Sequence, residues 1–181
     1  EGIQDPIKVY EYMANYYVVE GNKRVSVLKF FKAPTIRAQV IRKLPRRTED
    51  PNNRIYFEYI DFYKATKINY VRFSQPGSYA KLLSYTGKDA TQIWTDEELK
   101  DFKYLYSEFE KAFEEKGGKQ LKSTCSDALL FFLSLYPYTE AKEMTLNQIR
   151  QKLEKIWPEI MLLAKDDSVE LLMDPAAEKK T

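Results

Sequence analysis

The chain has 181 residues, of which 44% are apolar and 31% charged, and its formal net charge is +2. This composition is typical of a globular protein and excludes a chain that is mainly disordered. No apolar run reaches the roughly 18 residues of a membrane span, one cysteine excludes an internal disulfide framework, and the absence of histidine excludes Ser-His, Cys-His and histidine-metal sites from these residues.

The first strong pattern in the chain is a strand that leads through one glycine into a basic helix. Residues 17–19, Tyr-Val-Val, are aromatic and β-branched, which predicts a buried strand. Gly21 follows, at a point where the chain must turn sharply or approach a ligand closely. The apolar residues between Val25 and Phe31 predict a helix packed on a sheet, with Lys29 and Lys32 turned to water.

The middle of the chain predicts a longer helix and then a short strand. Asn52 or Asn53 is expected to cap the helix. Its apolar face consists of Ile55, Tyr59, Phe62 and Tyr63. Residues 70–73 are predicted to form a short strand, which the turn residues 75–77 close.

Two further helices follow in the sequence. Ser78 is expected to cap a helix that runs through Tyr85 and ends at Gly87. Residues 95–98, Thr-Asp-Glu-Glu, predict a capping box at the start of a longer helix, which the glycines at 117–118 end. The apolar face of that helix holds Leu99, Phe102, Leu105, Tyr106, Phe109 and Phe113.

The last predicted elements are two apolar helices. Ser126 is expected to open the first, which ends at Pro137, and its residues 128–135 are apolar enough to be buried on nearly every side. Residues 145–148 predict a second capping box. The face of that helix holds Ile149, Leu153, Ile156 and Ile160. Pro158 is expected to kink or break it near Ile156.

The start of the helix after Gly21 is a candidate phosphate site. The first amides of a helix lie unpaired at the positive end of its dipole, where an anion is the natural partner. Lys23 and Arg24 occupy this first turn, where cations are otherwise disfavoured, and a bound phosphate would remove the conflict. The predicted site therefore consists of Gly21, Asn22, Lys23 and Arg24.

The charge distribution favours the same hypothesis. Between Gly21 and Arg47 the chain carries nine basic residues and no acidic one. Such an asymmetry suits a nucleotide, a nucleic acid or an anionic surface, although a solvated basic face would have the same pattern. The candidates for nucleic-acid binding beyond the helix start are Arg37, Arg42, Lys43, Arg46 and Arg47.

These segments resemble the ParB/sulfiredoxin superfamily. Residues 2–9, Gly-Ile-Gln-Asp-Pro-Ile-Lys-Val, are similar to its G-x-x-x-P-I-x-V segment. The strand at 17–19 and residues 21–24, Gly-Asn-Lys-Arg, are similar to its strand, G-x-x-R and helix motif. Residues 33–40 are similar to the closing strand of ParB-like domains. The resemblance covers residues 2–43.

The resemblance implies a phosphate-binding role with little catalysis. In ParB proteins the corresponding box contacts the phosphates of a cytidine nucleotide. Asn22 stands where relatives carry an acidic residue or, in sulfiredoxins, the catalytic cysteine, which argues against nucleotide hydrolysis and against sulfiredoxin chemistry. ParB-like serine kinases have two histidines that this chain lacks, and Glu20 is a weak candidate for a catalytic base or metal ligand.

Three further patterns have both a functional and a structural interpretation. The aromatic residues between Tyr56 and Tyr63 could stack nucleobases, but this spacing is more typical of a core. Residues 146–153 could be a recognition helix, although their surroundings are acidic. Cys125 has no neighbouring basic cluster, which favours an inert thiol.

The predicted architecture is α+β. Residues 1–90 are expected to form a ParB/sulfiredoxin-like domain with a small sheet, whose N-terminal part is truncated. Residues 91–173 are expected to be a helical region and residues 174–181 a linker. The absence of an initiating methionine suggests a piece of a longer chain with further domains.

Two functions of different classes remain open from the sequence. The first is a non-catalytic module of a larger regulatory protein, a DNA-associated or transcription regulator, that binds nucleotide or DNA phosphate. The second, which the sequence disfavours, is a nucleotide-dependent kinase or nuclease. CTP and ATP are the candidate nucleotides, a metal is not expected, and a homodimer is an open alternative. We expect a cytoplasmic protein with no membrane partner.

Overall fold

The computed structural model describes residues 5–164, and it has the predicted α+β architecture. The chain consists of two compact units, and the boundary between them lies between Tyr56 and Phe57. We call residues 5–56 the N-terminal unit and residues 57–164 the C-terminal unit. The sequence-based boundary at residue 90 stays a prediction, and the predicted linker at 174–181 lies outside the described residues. Among the described helices, none is long and apolar enough to cross a bilayer.

A mixed sheet of three strands organises the N-terminal unit. The strands are β1 (Ile7–Tyr12), β2 (Asn15–Glu20) and β3 (Ala38–Arg42), and helix α1 (Asn22–Phe30) connects β2 to β3. The order is β2-β1-β3, with β1 antiparallel to β2 and parallel to β3. Because β1 is the central strand, each of its residues can have a paired residue on β2 and on β3 that points to the same face of the sheet.

The turn between β1 and β2 consists of two residues in the left-handed conformation. Met13 has φ +50° and Ala14 has φ +62°, values that hairpin turns require but that favour asparagine and glycine. The carboxylate of Glu11 accepts a hydrogen bond of 2.8 Å from the amide of Ala14. This side-chain contact compensates for a sequence that is poorly suited to the turn.

Glu11 is the fully buried centre of a polar cluster. Its Oε2 accepts hydrogen bonds from Nε of Arg42 and from the hydroxyl of Tyr56, the latter at 3.1 Å. A buried carboxylate is stable only when it is paired and hydrogen-bonded, and both conditions are met. Glu11 therefore joins the hairpin turn, the end of β3 and the start of the next helix.

Two expectations about the burial of this unit are wrong. The strand predicted at 17–19 forms as part of β2, but it is an edge strand whose residues are exposed, apart from a half-buried Val18. Helix α1 forms as predicted but has no buried residue, and Phe30 and Phe31 at its end are exposed. Both segments are apolar enough to predict that another element packs on them, but in the fold their side chains stay largely exposed.

Helix α2 (Pro51–Thr66) begins two or three residues before the start that a cap at Asn52 or Asn53 implies. Asp50, and not Asn52 or Asn53, acts as its cap, because Oδ1 of Asp50 accepts the amide of Asn53 at 3.1 Å. The buried side chain of Asn53 instead holds the preceding loop through Thr48 and Arg46. Of the predicted apolar face, Tyr59 and Phe62 are buried, whereas Ile55 and Tyr63 are half-buried.

Residues 70–73 do not form the predicted strand. Their backbone is satisfied by side chains that lie more than fifty residues later in the sequence. The hydroxyl of Ser126 accepts the amide of Arg72 at 3.0 Å, and Thr124 donates to the carbonyl of Arg72 at 2.7 Å. The β-branched and aromatic composition of the segment was therefore a misleading signal.

The remaining helices surround the core of the C-terminal unit. They are α3 (Ser78–Tyr85), α4 (Asp96–Glu115), α5 (Cys125–Leu135), α6 (Tyr138–Ala141) and α7 (Leu146–Leu163). Helix α5 packs against α3, α4 and α7. The side chains least exposed to solvent include Phe62, Phe102, Leu105, Phe109, Leu129, Phe132, Ile149, Leu153 and Ile160.

Several helix boundaries confirm the sequence predictions, and others correct them. The capping boxes at Thr95 and Thr145 are present. Ser78 does not cap α3 but is its first helical residue. The amide of Gly77, the residue before Ser78, donates a hydrogen bond to the carboxylate of Glu58. Thr124, two residues before Ser126, caps α5 through a third capping box. Helix α7 continues through Pro158, so the helix does not break there, and the kink that was the other expected outcome stays a prediction. Leu130 and Phe131 of α5 are half-buried, so that helix is not covered on every side.

Candidate functional site

Gly21 begins α1 in a conformation that only glycine adopts readily. Its φ is +101°, in the left-handed region. A Cβ at this position would lie 2.5 Å from Cγ2 of Ile7, which is buried on β1. Both the turn and the close approach to β1 therefore require a glycine here.

The first turn of α1 has the properties of an anion site. No side chain caps this helix, and its first turn contains no acidic residue. Asn22 and Lys23 are exposed, and Lys23 adds a positive charge at the positive end of the helix dipole. Amides and a cation therefore face solvent together, an arrangement that suits a phosphate group.

Arg24 has a structural role besides its predicted one. Its Nη1 donates hydrogen bonds to the carbonyl oxygens of Asp5, at 2.7 Å, and Pro6, at 3.3 Å. These contacts hold the segment before β1 against the start of α1. A substitution of Arg24 would therefore change the fold as well as any ligand contact, so Lys23 is the better residue to test.

Glu20, the weak catalytic candidate, is an exposed residue in an ion pair. Its Oε2 lies 2.8 Å from Nζ of Lys8. The hydrogen bond and the charge of Lys8 lower the pKa of Glu20 below its ordinary value. A carboxylate with a lowered pKa is a poor base at neutral pH. In addition, no group of three Cys, Asp or Glu side chains within residues 5–164 is arranged to hold a metal ion.

The sheet separates the predicted cations into two groups. Arg37 precedes β3, and its carbonyl accepts the amide of Ile7 at 3.0 Å, so it lies at the same end of β1 as Gly21. Arg42 pairs with Glu11 at the other end of β1. Four residues of strand separate the two ends by about 13 Å. The cations therefore do not form one compact cluster.

The residues at the second end differ in what they contact. Arg42 is largely committed to the buried carboxylate of Glu11 and is only 26% exposed. Lys43 is exposed, and its Nζ lies 4.7 Å from the centroid of the Tyr10 ring. Arg46 and Arg47 are exposed residues of the loop before α2. Of this group, Arg42 is thus the least suited to contact a nucleic acid.

The aromatic pattern of α2 and the cysteine at the start of α5 have structural roles. Tyr56, Phe57, Tyr59 and Phe62 are buried, so they do not form a surface for stacking bases. Burial raises the pKa of Cys125 to about 12, which makes its thiol unreactive. In the predicted recognition helix, Nε and Nη2 of Arg150 each donate a hydrogen bond of 2.7 Å to the carboxylate of Glu115.

The sequence analysis missed an exposed aromatic group on the sheet. Lys8, Tyr10 and Tyr12 alternate with the buried residues of β1 and therefore share its outward face. Tyr17 is the partner of Tyr10 on β2. The sequence gives no signal for this face, because the charged Glu11 is buried whereas the aromatic Tyr10 and Tyr12 are exposed.

No family model, curated protein or solved structure matches the chain. The comparisons thus add no relative from which a function could be transferred. Membership of the ParB/sulfiredoxin superfamily stays a prediction from the motifs in residues 2–43.

Proposed function

We propose that the N-terminal unit is a non-catalytic, ParB-like module that binds the phosphate groups of a nucleotide or of DNA. In this proposal the start of α1 holds one phosphate group through the amides of residues 22–24 and the ammonium of Lys23. Arg24 contributes mainly by positioning the start of the helix. The module would serve a larger regulatory protein, as the sequence suggests.

The observation that carries the proposal is the start of α1 itself. Its cap is a glycine without a side chain, its first turn lacks acidic residues, and two cations occupy that turn. Each of these features is unfavourable for an isolated helix, because the unpaired amides need an acceptor and the dipole disfavours cations. A bound phosphate supplies the acceptor and the negative charge at once.

The order of elements also supports the proposal. Two strands, Gly21, a helix and a closing strand follow one another, which is the order that the resemblance to ParB-like domains implies. Arg37 lies at the same end of the sheet and can extend the contact along a phosphate chain. The other cations between Gly21 and Arg47 would contribute attraction over a longer range.

A binding experiment with two matched lysine variants tests this function. Lys23→Gln removes a charge from the first turn of α1, and Lys29→Gln removes the same charge from its last turn. Binding of CTP, ATP and a DNA duplex is measured by titration calorimetry at low and moderate salt. We expect Lys23→Gln to weaken binding roughly tenfold and Lys29→Gln to weaken it clearly less.

Two results would contradict the proposal. One is the absence of binding to any of these phosphate ligands. The other is an equal loss in both variants, which would indicate general attraction to a basic surface. Turnover of a nucleotide that is lost in Glu20→Gln would instead support the enzyme alternative.

A further inference from the structure

The outward face of the sheet carries a cluster of half-exposed tyrosines. In β1 the residues alternate between a buried face, with Ile7, Val9 and Glu11, and an exposed face, with Tyr10 and Tyr12. Paired residues of neighbouring strands point to the same side of a sheet. The exposed face therefore also includes the partners of Tyr10, which are Tyr17 on β2 and Ile41 on β3.

The rings on this face are accessible to a ligand. Tyr10 is 37% exposed, Tyr12 is 45% exposed and Tyr17 is 56% exposed. Tyr10 and Tyr17 lie side by side across the hairpin, and Tyr12 follows Tyr10 at about 6.7 Å along β1. Three exposed aromatic residues at this spacing on one face of the sheet provide positions for successive planar groups.

The same face also carries a positive charge from Lys43, while the charge of Lys8 is offset by its ion pair with Glu20. Lys43 lies over the ring of Tyr10, and Lys8 neighbours Tyr10 on the same side of β1. Glu20 pairs with Lys8 and is the partner of Lys8 in the sheet register. Residues 5–56 as a whole carry eleven basic and five acidic residues, a net charge of +6 that attracts a negatively charged partner at longer range. A partner with both aromatic planes and negative charge is complementary to this surface.

We infer that this sheet face, defined by Tyr10, Tyr12, Tyr17 and Ile41, binds single-stranded nucleic acid by stacking of its bases. Exposed bases stack on aromatic side chains, and a basic surface tracks the backbone phosphates. The bases of a duplex are already stacked on each other and cannot use the rings in this way. The rings therefore favour a single strand, and the charge favours a nucleic acid over an uncharged partner.

This inference goes beyond the proposed phosphate site and concerns a different surface. The phosphate site lies at the start of α1, beside Ile7, whose side chain is on the buried face of β1. The tyrosines lie on the opposite face. Phosphate binding at α1 and base stacking on the sheet can therefore succeed or fail independently.

The decisive comparison uses two neighbouring residues of one strand. Tyr17 lies on the proposed face, whereas Tyr16 is the partner of Glu11 and belongs to the other face, although it is 49% exposed. Binding of a labelled oligothymidylate is measured by fluorescence anisotropy. We expect Tyr17→Ser to weaken binding roughly tenfold, Tyr17→Phe to bind like the wild type, and Tyr16→Ser to change binding much less.

A second ligand separates stacking from phosphate contact. An abasic oligomer of the same length has the backbone charge but no bases. We expect it to bind at least about fivefold more weakly than oligothymidylate, and Tyr17→Ser to leave its affinity unchanged. Equal binding of the two oligomers that is lost in Lys23→Gln would overturn the stacking inference while the phosphate site remained supported.

Photocrosslinking on the wild-type chain makes the test independent of variant folding. An oligomer that contains 5-iodouracil is irradiated in the complex, and the attached peptide is mapped by mass spectrometry. We expect attachment at Tyr10, Tyr12 or Tyr17. Attachment within residues 96–163, no binding of oligothymidylate, or an equal loss in Tyr16→Ser and Tyr17→Ser would each overturn the inference. A dimer that Tyr17→Ser dissociates, without binding of the oligomer, would instead identify a protein interface.

Discussion

The start of α1 in the N-terminal unit differs from the starts of three helices in the C-terminal unit, although α3 of that unit also follows a left-handed glycine without a side-chain cap. In the C-terminal unit, α4, α5 and α7 each follow a threonine cap whose hydroxyl accepts the amide of the residue three positions later. The side chain of that later residue in turn accepts the amide of the threonine. Helix α1 of the N-terminal unit starts at Gly21, has no side-chain cap and has cations in its first turn. The three capped helices satisfy their own ends, whereas α1 leaves its amides available to a ligand.

The units also differ in how they use their aromatic residues. In the C-terminal unit, rings such as Phe62, Phe102, Phe109 and Phe132 are almost completely buried. In the N-terminal unit, the tyrosines of the hairpin remain about half exposed. Burial of aromatic area is a large source of stability. The buried C-terminal rings therefore contribute to stability, and we propose that the exposed N-terminal rings serve recognition.

The largest expected effect is in the C-terminal core. Phe109 is fully buried, and its ring lies 5.3 Å from that of Phe132 and 6.2 Å from that of Phe113. Phe109→Ala is expected to lower the free energy of unfolding by about 3 to 5 kcal/mol, because a cavity forms. Urea denaturation measures the change. Tyr104→Ala, on the exposed side of the same helix, is the control and is expected to cost less than about 1 kcal/mol.

The next effect is at the buried carboxylate of the N-terminal unit. Glu11→Gln removes the anion that Arg42 pairs with and is expected to destabilise the sheet by about 3 kcal/mol. This value is at the lower end of the cost of breaking a buried ion pair, because Arg42 keeps some contact with water. Hydrogen exchange of the β1 amides measures it. Glu20→Gln removes an exposed ion pair of the same sheet and is expected to have little effect. Equal protection in both variants would refute the role of Glu11.

A pair of glycines sharpens the account of the α1 start. Gly21→Ala adds both left-handed strain and a clash with Ile7, whereas Gly87→Ala adds strain alone, because no atom lies within 4 Å of the new Cβ. We expect losses of about 2 to 3 kcal/mol at Gly21 and about 1 kcal/mol at Gly87. Thermal unfolding and hydrogen exchange give both values, and a larger loss at Gly87 would contradict the contact with β1.

The smallest effect concerns the hairpin turn. Ala14 has φ +62°, so Ala14→Gly is expected to stabilise the N-terminal unit by about 0.5 to 1 kcal/mol. The same change at Ala80, an exposed residue within α3, is expected to destabilise by a similar amount. Opposite signs in hydrogen exchange would support the left-handed turn. A loss at both positions would refute it.

Local signals in the sequence were sufficient for the starts of α4 and α7, but not for those of α2, α3 and α5. The capping boxes at Thr95 and Thr145 involve residues within one turn of each other, so the sequence alone predicts them. At Gly21 the sequence likewise predicts a sharp turn or a close approach to a ligand, and the structure has the turn. The segment at 70–73 was mispredicted because its hydrogen-bond partners, Thr124 and Ser126, are distant in sequence.

The candidate site was predictable only in part, for the same reason. The residues of the α1 start are contiguous, and the structure places them in one helical turn. Arg42 was predicted as a surface cation, but its partner Glu11 lies thirty-one residues earlier. The tyrosine face requires the register between β1 and β2, which the sequence does not specify. Whether phosphate binds at α1 stays a prediction.

The most direct test of the central proposal is a titration of the labelled protein with inorganic tripolyphosphate, followed by amide chemical shifts. We predict saturable shifts at the amides of residues 22–24 and none at residues 96–98, where the capping box of α4 occupies the corresponding positions. Absence of shifts at residues 22–24, or equal shifts at both helix starts, would contradict the assignment of a phosphate site to α1.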